Sequence, residues 1–328
     1  MAAPHKLLSS HLPLPPGPAP LPPVVVPVVV TGASGRVANV LRRALGLAGL
    51  GEDETGLSFL WSSRGGALPD IAGKTTGGAA RHIRWDIGAE PAPEWPRGAI
   101  LLHLAGTTGA KEPGRNPALI AAVIAACAQN AVRHVVHIST AAIYAPGPGA
   151  ARETDAPCPA NPYGAAKYQT EGLLRDGDRG IAQGLTILRL GNLIGADALL
   201  GKGVVAPIRL DPVPGETGED GPAPLARGPL RSWIGPITFA QSLVALLQRI
   251  AAGQNLPDVI NFAQSPPLGM AELLRLSGIA WEWAPPNPAV TASAVLDTTR
   301  LQGLLQMPAA NAKQLIAERN ALFQTGGT

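Results

Sequence analysis

Tyr163 and Lys167 bracket the run Tyr163-Gly164-Ala165-Ala166-Lys167. A spacing of four is about one helical turn, so on a helix the phenol and the ammonium project from the same face. A Tyr acting as a base near neutrality must lose about three pKa units, or roughly 4 kcal/mol of differential stabilisation of the phenolate. A neighbouring ammonium in a poorly solvated cleft acts in that direction. In isolation the same pair is an ordinary Tyr and Lys on a helix surface. Ser139-Thr140 closes the apolar run Val132 to Ile138. If that run is a strand of a parallel sheet, its carboxyl end is where ligands lie. Thr140 would then hydrogen-bond a substrate oxygen and share its charge, although a cap or turn role suits either hydroxyl equally well.

A third signal is Thr31-Gly32-Ala33-Ser34-Gly35-Arg36-Val37-Ala38. Glycines at 32 and 35 let the backbone turn sharply and approach a pyrophosphate, whose charge is stabilised by free N–H groups at the start of the next helix. Ala38 is small enough for close helix-to-sheet packing. No Lys follows the turn, so it is not a Gly-Lys-Ser/Thr phosphate loop.

These groups need elements to hold them. Val24 to Thr31 is rich in β-branched residues and runs straight into the turn, and Val37 to Leu47 recurs with helical spacing. Short apolar runs follow at Leu57–Trp61, His82–Trp85, Ala99–Leu104, Val132–Ile138 and Leu185–Leu190, with helical stretches at Asn116–Ala131 and Asn161–Arg175. The alternation predicts a doubly wound parallel α/β sheet. The segment from Gly195 to Pro229 collects Gly and Pro with little periodicity and reads as a mobile insert or substrate-covering loop. Helices are then expected over Ile237–Ile250, Met270–Leu276 and Pro308–Phe323, with strands at Val259–Phe262 and Trp281–Trp283. The expected division is a Pro-rich tail over 1–23, a sheet domain over 24–194 completed by 236–263, and a small C-terminal lobe from 195–235 and 264–328.

Composition narrows the function classes. The chain has 328 residues, is 46% hydrophobic and only 15% charged, and so contains a large core rather than a disordered chain. A net charge of +3 is too slight to imply a nucleic-acid surface, and fits a small anionic ligand better. Cys127 and Cys158 cannot form a disulfide framework and have no zinc-ligand spacing; a reducing, cytoplasmic setting is expected. The longest apolar run near Leu21 is broken by Pro22, Pro23 and Pro27 and is too short to span a bilayer. His103, His134 and His137 lie on or beside predicted strands and read as packing residues rather than metal ligands.

Taken in order, the motifs resemble those of an extended short-chain dehydrogenase/reductase of the NAD(P)-dependent epimerase/dehydratase family. The resemblance runs from about Val28 to Phe262, through the glycine turn, Trp85-Asp86-Ile87, His103 to Gly106, Ile138 to Tyr144, Asn161 to Lys167, Leu188 to Asn192 and Arg231 to Ile234. It implies a Rossmann sheet with a small substrate-binding lobe, an NAD(P) cofactor and a homodimer through helices flanking the sheet. Tyr163 would be the acid/base, with Lys167 gripping the nicotinamide ribose and lowering the Tyr pKa, and with Thr140 in the family's Ser/Thr position. Gly32, Ala33, Ser34, Gly35, Arg36, Val37, Leu104, Ala105 and Gly106 would flank the pyrophosphate and ribose, and Asp86 with Ile87 would meet the adenine. Ser139, Asn192 and Arg231 would face the substrate, with Arg231 presenting a cation to a nucleotide diphosphate.

Departures from the family pattern bear on chemistry. The Asp-Glu pair that follows the Ser/Thr in dehydrating members is Ala141-Ala142 here, which favours epimerisation or carbonyl reduction over dehydration. The acidic residue expected after the second strand in NAD-specific members is absent. Ser62-Ser63-Arg64 offers donors and a positive charge instead, which leans to NADP. Glu52, Asp53 and Glu54 would replace Arg64 as ribose partners if that strand began earlier. The leading expectation is an NAD(P)-dependent epimerase or oxidoreductase at an alcohol/carbonyl centre of a small molecule, with a nucleotide sugar among the candidates. The alternatives are an NADPH-dependent reductase of a small carbonyl compound and a dinucleotide-sensing regulator without chemistry.

Overall fold

The computed structural model describes residues 25–65, 68, 81–106, 115–177, 184–218, 221–222 and 226–324. The Pro-rich tail expected over 1–23 lies outside the described residues. The main sheet is built from β1 (Val26–Thr31), β2 (Leu57–Ser63), β3 (Arg81–Arg84), β4 (Ile100–His103), β5 (His134–Thr140), β6 (Leu185–Leu190) and β7 (Val259–Phe262). All pairings are parallel, in the order β7-β6-β5-β4-β1-β2-β3. The central strands are buried on both faces, which is why β1, β4 and β5 read as unbroken apolar runs rather than as alternating ones.

Among the described residues, six helices of eight or more residues complete the fold: α1 (Arg36–Leu47), α2 (Arg115–Gln129), α3 (Pro162–Gly177), α4 (Pro236–Ala251), α5 (Met270–Ser277) and α6 (Ala312–Gln324). Side chains of α1 and α4 share one core with Val28, Val30, Leu102 and Ile138 of the sheet. On the other face, Ile120 and Val123 of α2 and Leu174 of α3 pack on Val29, Leu101 and Val135. This is the doubly wound architecture expected from the sequence. The chain leaves β1 towards β2 and β3, then crosses back to β4 on the other side, so strand order reverses between β1 and β4. Loops diverge at that point and open a crevice at the carboxyl ends of the strands.

The small lobe has its own core, in which Leu199, Leu200 and Leu210 join Trp233, Leu268, Leu273, Leu274 and Leu315. The segment expected to be a mobile insert therefore supplies buried side chains, and Ile208–Leu210 pairs with Trp281–Trp283. Strands this short leave no periodicity to read. Leu230–Arg231 lies between Leu268–Gly269 and Ser293–Leu296, and the latter also pairs with Ala150–Ala151, which follows β5 in sequence. Domain and lobe are thus stitched together at 150–151. At the C-terminus α6 joins both bodies, with Leu315 in the lobe core and Leu322 in the sheet core. Its Glu318 is buried and accepts the Ile237 N–H at 2.8 Å and the Thr238 hydroxyl at 3.1 Å, which caps the start of α4 with a carboxylate.

Candidate active site

β1 ends at Thr31 and the chain turns through Gly32 at φ +75°, a conformation that suits glycine. A Cβ at Gly32 would stand 2.7 Å from the Ala105 nitrogen, so the turn lies directly against the segment leaving β4. Asn39 Nδ2 donates to the Ser34 and Gly35 carbonyls at 3.1 and 3.0 Å and holds the turn closed. Gly35 is the N-cap of α1 and contributes no capping side chain, so the helix's first N–H groups face the crevice.

Two cavities share Gly32, Gly35, Leu104 and Gly106 as a common wall. One, of about 450 Å³, is lined by Arg36, Val37, Ser139, Thr140, Tyr163, Lys167 and Asn192, and also by Gly191 and Asp197, which sequence reasoning missed. The other, of about 280 Å³, is lined by Ser34, Ser62, Ser63, Arg64, Asp86, Ile87 and Ala105. These residues come from seven separate stretches of chain and meet along the strand ends. Ala33 does not line either cavity; it is fully buried, with its N–H bonded to the Ser62 carbonyl at 3.0 Å. Arg231 is also absent from both. Its Nη1 and Nη2 donate to the Leu230 and Thr291 carbonyls at 2.7 and 2.9 Å, so the cation expected to face a diphosphate instead braces the small lobe. Trp281 and Trp283 pack edge to face at 5.1 Å within that lobe.

The hydroxyls of β5 have divergent partners. Ser139 Oγ donates to Glu171 Oε1 at 2.5 Å. Thr140 Oγ1 accepts the Ala142 N–H at 3.2 Å, so a cap role is realised, and its side chain also interacts with the Tyr163 phenol. α3 starts where Asn161 Oδ1 accepts the Gly164 N–H at 2.9 Å. A Cβ at Gly164 would overlap the Ala142 carbonyl, so glycine there lets α3 seat against the β5 end. Tyr163 stays 36% exposed, which opens its ring to the groove.

Lys167 Nζ donates to the Ile138 carbonyl at 2.8 Å. Burial lowers its pKa to about 8, with Glu171 acting to raise it. Tyr163 departs from expectation: burial pushes its phenol above the usual value, while the Thr140 side chain and the Arg36 guanidinium pull it back. The cation that acts on the phenol here is Arg36 rather than Lys167. Below Lys167, Thr31, His103 and His137 are register partners across β1, β4 and β5. Thr31 Oγ1 and His103 Nδ1 are 2.7 Å apart, and the two imidazoles stack at 5.2 Å. Burial first, and then the Lys167 charge, hold His103 down at about 3 and His137 well below its ordinary value.

Residues 103–207 match the sequence profile of the NAD dependent epimerase/dehydratase family, in line with the resemblance carried by the motifs. A UDP-glucose 4-epimerase of Azospirillum brasilense is 31% identical over 196 residues, or 55% of this chain and 53% of that protein. The match thus spans about half the length of that relative. UDP-glucose 4-epimerase from Bifidobacterium longum, solved in complex with NAD+ and UDP, superposes with a TM-score of 0.67 at 17% identity, covering 92% of this chain and 99% of that one. The Stenotrophomonas maltophila UDP-glucose-4-epimerase, with bound NAD and formylated UDP-arabinopyranose, gives 0.65 at 20% identity, covering 92% and 100%. At these identities the superpositions establish a common fold.

The buried imidazoles carry a pH dependence. An unfolded His titrates near 6.5, whereas His103 and His137 stay neutral in the folded chain to much lower pH. Stability is therefore full above about pH 6.5 and falls as the pH drops below it, because only the unfolded chain takes up protons. His137→Leu should reduce the loss between pH 7 and pH 4.5 by about 2 to 3 kcal/mol. Urea unfolding at the two pH values measures this, and an unchanged difference would contradict the assignment.

Proposed function

We propose that this chain, a member of the NAD dependent epimerase/dehydratase family, binds a nicotinamide dinucleotide along the groove and works as an epimerase or oxidoreductase at an alcohol/carbonyl centre. The observation that carries the reading is the meeting of Thr140, Tyr163 and Lys167 in a cavity that shares a wall with the glycine turn. The groove suits a dinucleotide. The backbone at Gly32 has no space for a side chain, the α1 N-terminus offers free N–H groups, and the buried Ser62 hydroxyl lining the second cavity has no protein partner. Its counterparts from Bifidobacterium longum and Stenotrophomonas maltophila were solved with NAD. A bound nicotinamide would supply the hydride acceptor or donor.

The protein's part is to move the matching proton. With its pKa raised by burial, Tyr163 is a phenol at neutral pH and gives its proton to a substrate oxygen in the reducing direction. In the oxidising direction it must take that proton back, which the positive charge of Arg36 favours. Thr140, beside the phenol, would offer its hydroxyl to the same oxygen. Lys167 is tied to the Ile138 carbonyl and lies on the cofactor side of Tyr163, near Gly106. Asn192 forms part of the substrate wall. Reduction of a small carbonyl compound is a second reading, and the commitment of Arg231 to lobe carbonyls favours it over a nucleotide-linked substrate.

Tyr163→Phe is expected to lower turnover by roughly two to four orders of magnitude with little change in dinucleotide affinity. Near-native turnover on an identified substrate would remove Tyr163 from the acid/base role. The cofactor preference is for NADP. Arg64 follows β2 and lines the second cavity with Ser62 and Ser63, whereas Glu52, Asp53 and Glu54 form a helical turn at the opposite end of that strand. One charge-assisted contact to a 2′-phosphate is worth roughly 1.5 to 3 kcal/mol, about 10- to 150-fold in affinity. Calorimetric titration of both dinucleotides should show tighter NADP binding in wild type and loss of that margin in Arg64→Ala; tighter NAD binding by wild type would refute it. A homodimer through the flanking helices completes the reading. α2 exposes Ala118, Ala121, Ala125 and Ala128 along one face, and the intact chain should sediment as a dimer, a monomer at all concentrations being the contrary result.

A further inference from the structure

Glu171 lies one helical turn beyond Lys167 on α3 and is fully buried. Its Oε1 accepts from Ser139 Oγ at 2.5 Å and from Arg189 Nε at 3.2 Å. Its Oε2 accepts from Arg189 Nη2 at 2.8 Å and from Arg175 Nη2 at 3.2 Å. A buried ion pair forfeits hydration and is weak evidence of stabilisation, so its geometry is better read as a means of fixing positions. We propose that Glu171 is the positioning residue of this site: it holds Lys167 and the Ser139-Thr140 segment in register with Tyr163 and, through Arg189, ties them to the small lobe.

Tyr163, Lys167 and Glu171 succeed one another at intervals of four along α3 and face three consecutive residues at the end of β5. Lys167 bonds the Ile138 carbonyl, Glu171 bonds the Ser139 hydroxyl, and Tyr163 interacts with the Thr140 side chain. Beyond Glu171 the network continues. Arg189 lies over the Tyr144 ring at 4.9 Å, and its Nη1 donates to the Tyr144 hydroxyl at 2.7 Å. That hydroxyl donates to Asn261 Oδ1 at 2.9 Å. Asn261 Nδ2 in turn donates to the Ala151 and Asp297 carbonyls at 2.8 and 2.9 Å, where Ala151 pairs with Leu296 of the lobe sheet.

The charge of Glu171 also acts on Lys167. It raises the amine's pKa against burial, which otherwise drives the amine towards its neutral form. The other titratable groups around Lys167 are His103 on β4 and His137 on β5, both neutral at physiological pH, together with Tyr163 on its own helix and Arg36 and Asp197, which line the same cavity. Glu171 is the anion that acts on the amine within that surround.

The inference rests on reading Tyr163 and Lys167 as the acid/base pair, and its test uses the free, full-length protein so that the outcome does not depend on dinucleotide binding. Competitive acetylation with acetic anhydride over a pH series, read by mass spectrometry at Lys167, gives the amine's midpoint. Wild type should titrate near 8. Glu171→Gln should lower the midpoint by roughly one unit, and Glu171→Asp, which keeps the charge, should restore most of it. If Glu171→Gln does not fold, the paired change Glu171→Gln with Arg189→Gln removes both charges and should still lower the midpoint, by less, because Glu171 is the charge that acts to raise it. Ser139→Ala should leave the midpoint in place but speed hydrogen exchange at the Ala142 amide, which Thr140 holds, by about tenfold or more. An unmoved Lys167 midpoint in the folded charge variant, or unchanged Ala142 exchange in Ser139→Ala, overturns the proposal. Failure of the parent reading would show separately, as the absence of dinucleotide binding by wild type.

Discussion

The backbone of Gly32 lies so close to that of Ala105 that no side chain fits between them. This contact joins the first strand to the fourth at the point where strand order reverses, and the groove depends on it. Because β1 and β4 are hydrogen-bonded neighbours, the chain leaving each must diverge, α1 to one face of the sheet and the 104–106 segment towards the other. A larger residue at 32 would both force an unfavourable φ and push the two segments apart. The walls of both cavities would then separate, since each uses Gly32 and Leu104.

Electrostatics along the groove follow from what is buried beside it. Three strands contribute a row of polar residues, Thr31, His103 and His137, directly beneath Lys167, and burial leaves both imidazoles uncharged. The floor is therefore polar but neutral, and the charge sits above it on Lys167 and across from it on Arg36. An ammonium over a charged imidazole would be driven to deprotonate. Over a neutral one, with a carboxylate a turn away, it keeps a pKa of about 8. The free chain leaves Tyr163 as a proton donor, so any demand for the phenolate must be met by further positive charge in the groove.

Much of the sheet was legible because buried parallel strands announce themselves: β7 has the bounds its apolar run predicted, and β1, β4 and β5 differ from theirs by one or two residues at an end. The small lobe was not, since its strands are two to four residues long and owe their existence to partners far away in sequence, such as Ala150–Ala151 with Ser293–Leu296. The motif residues came together as their order implied, except where a side chain had a stronger local partner. Arg231 found two carbonyls, and Ala33 turned into the core. Glu171 was overlooked although its signal was present: it continues the four-residue spacing of Tyr163 and Lys167. What the spacing could not convey is that Arg189, eighteen residues on, arrives from β6 to neutralise it.

Two halves of the site are anchored differently. Tyr163, Lys167 and Thr140 are referenced to α3 and β5, where Val135 and Leu174 pack in the core shared with α2 and Val136 and Ile138 in the core shared with α1 and α4. The opposite wall, at Asn192 and Leu193, pairs with Trp233–Ile234, and Trp233 is held in the lobe core with its indole N–H donating to the Leu268 carbonyl at 3.1 Å. Leu193 and Ile234 also pack in the sheet core beside Ile138, so this wall is held from both bodies. A second crossing is the line from Glu171 through Arg189 and Tyr144 to Asn261, made by direct hydrogen bonds. Asn261 is fully buried and its backbone N–H donates to the Glu153 carboxylate at 2.9 Å, so this crossing has little freedom to adapt. On the proposed reading, substitutions along this line would act on substrate fit and proton transfer together.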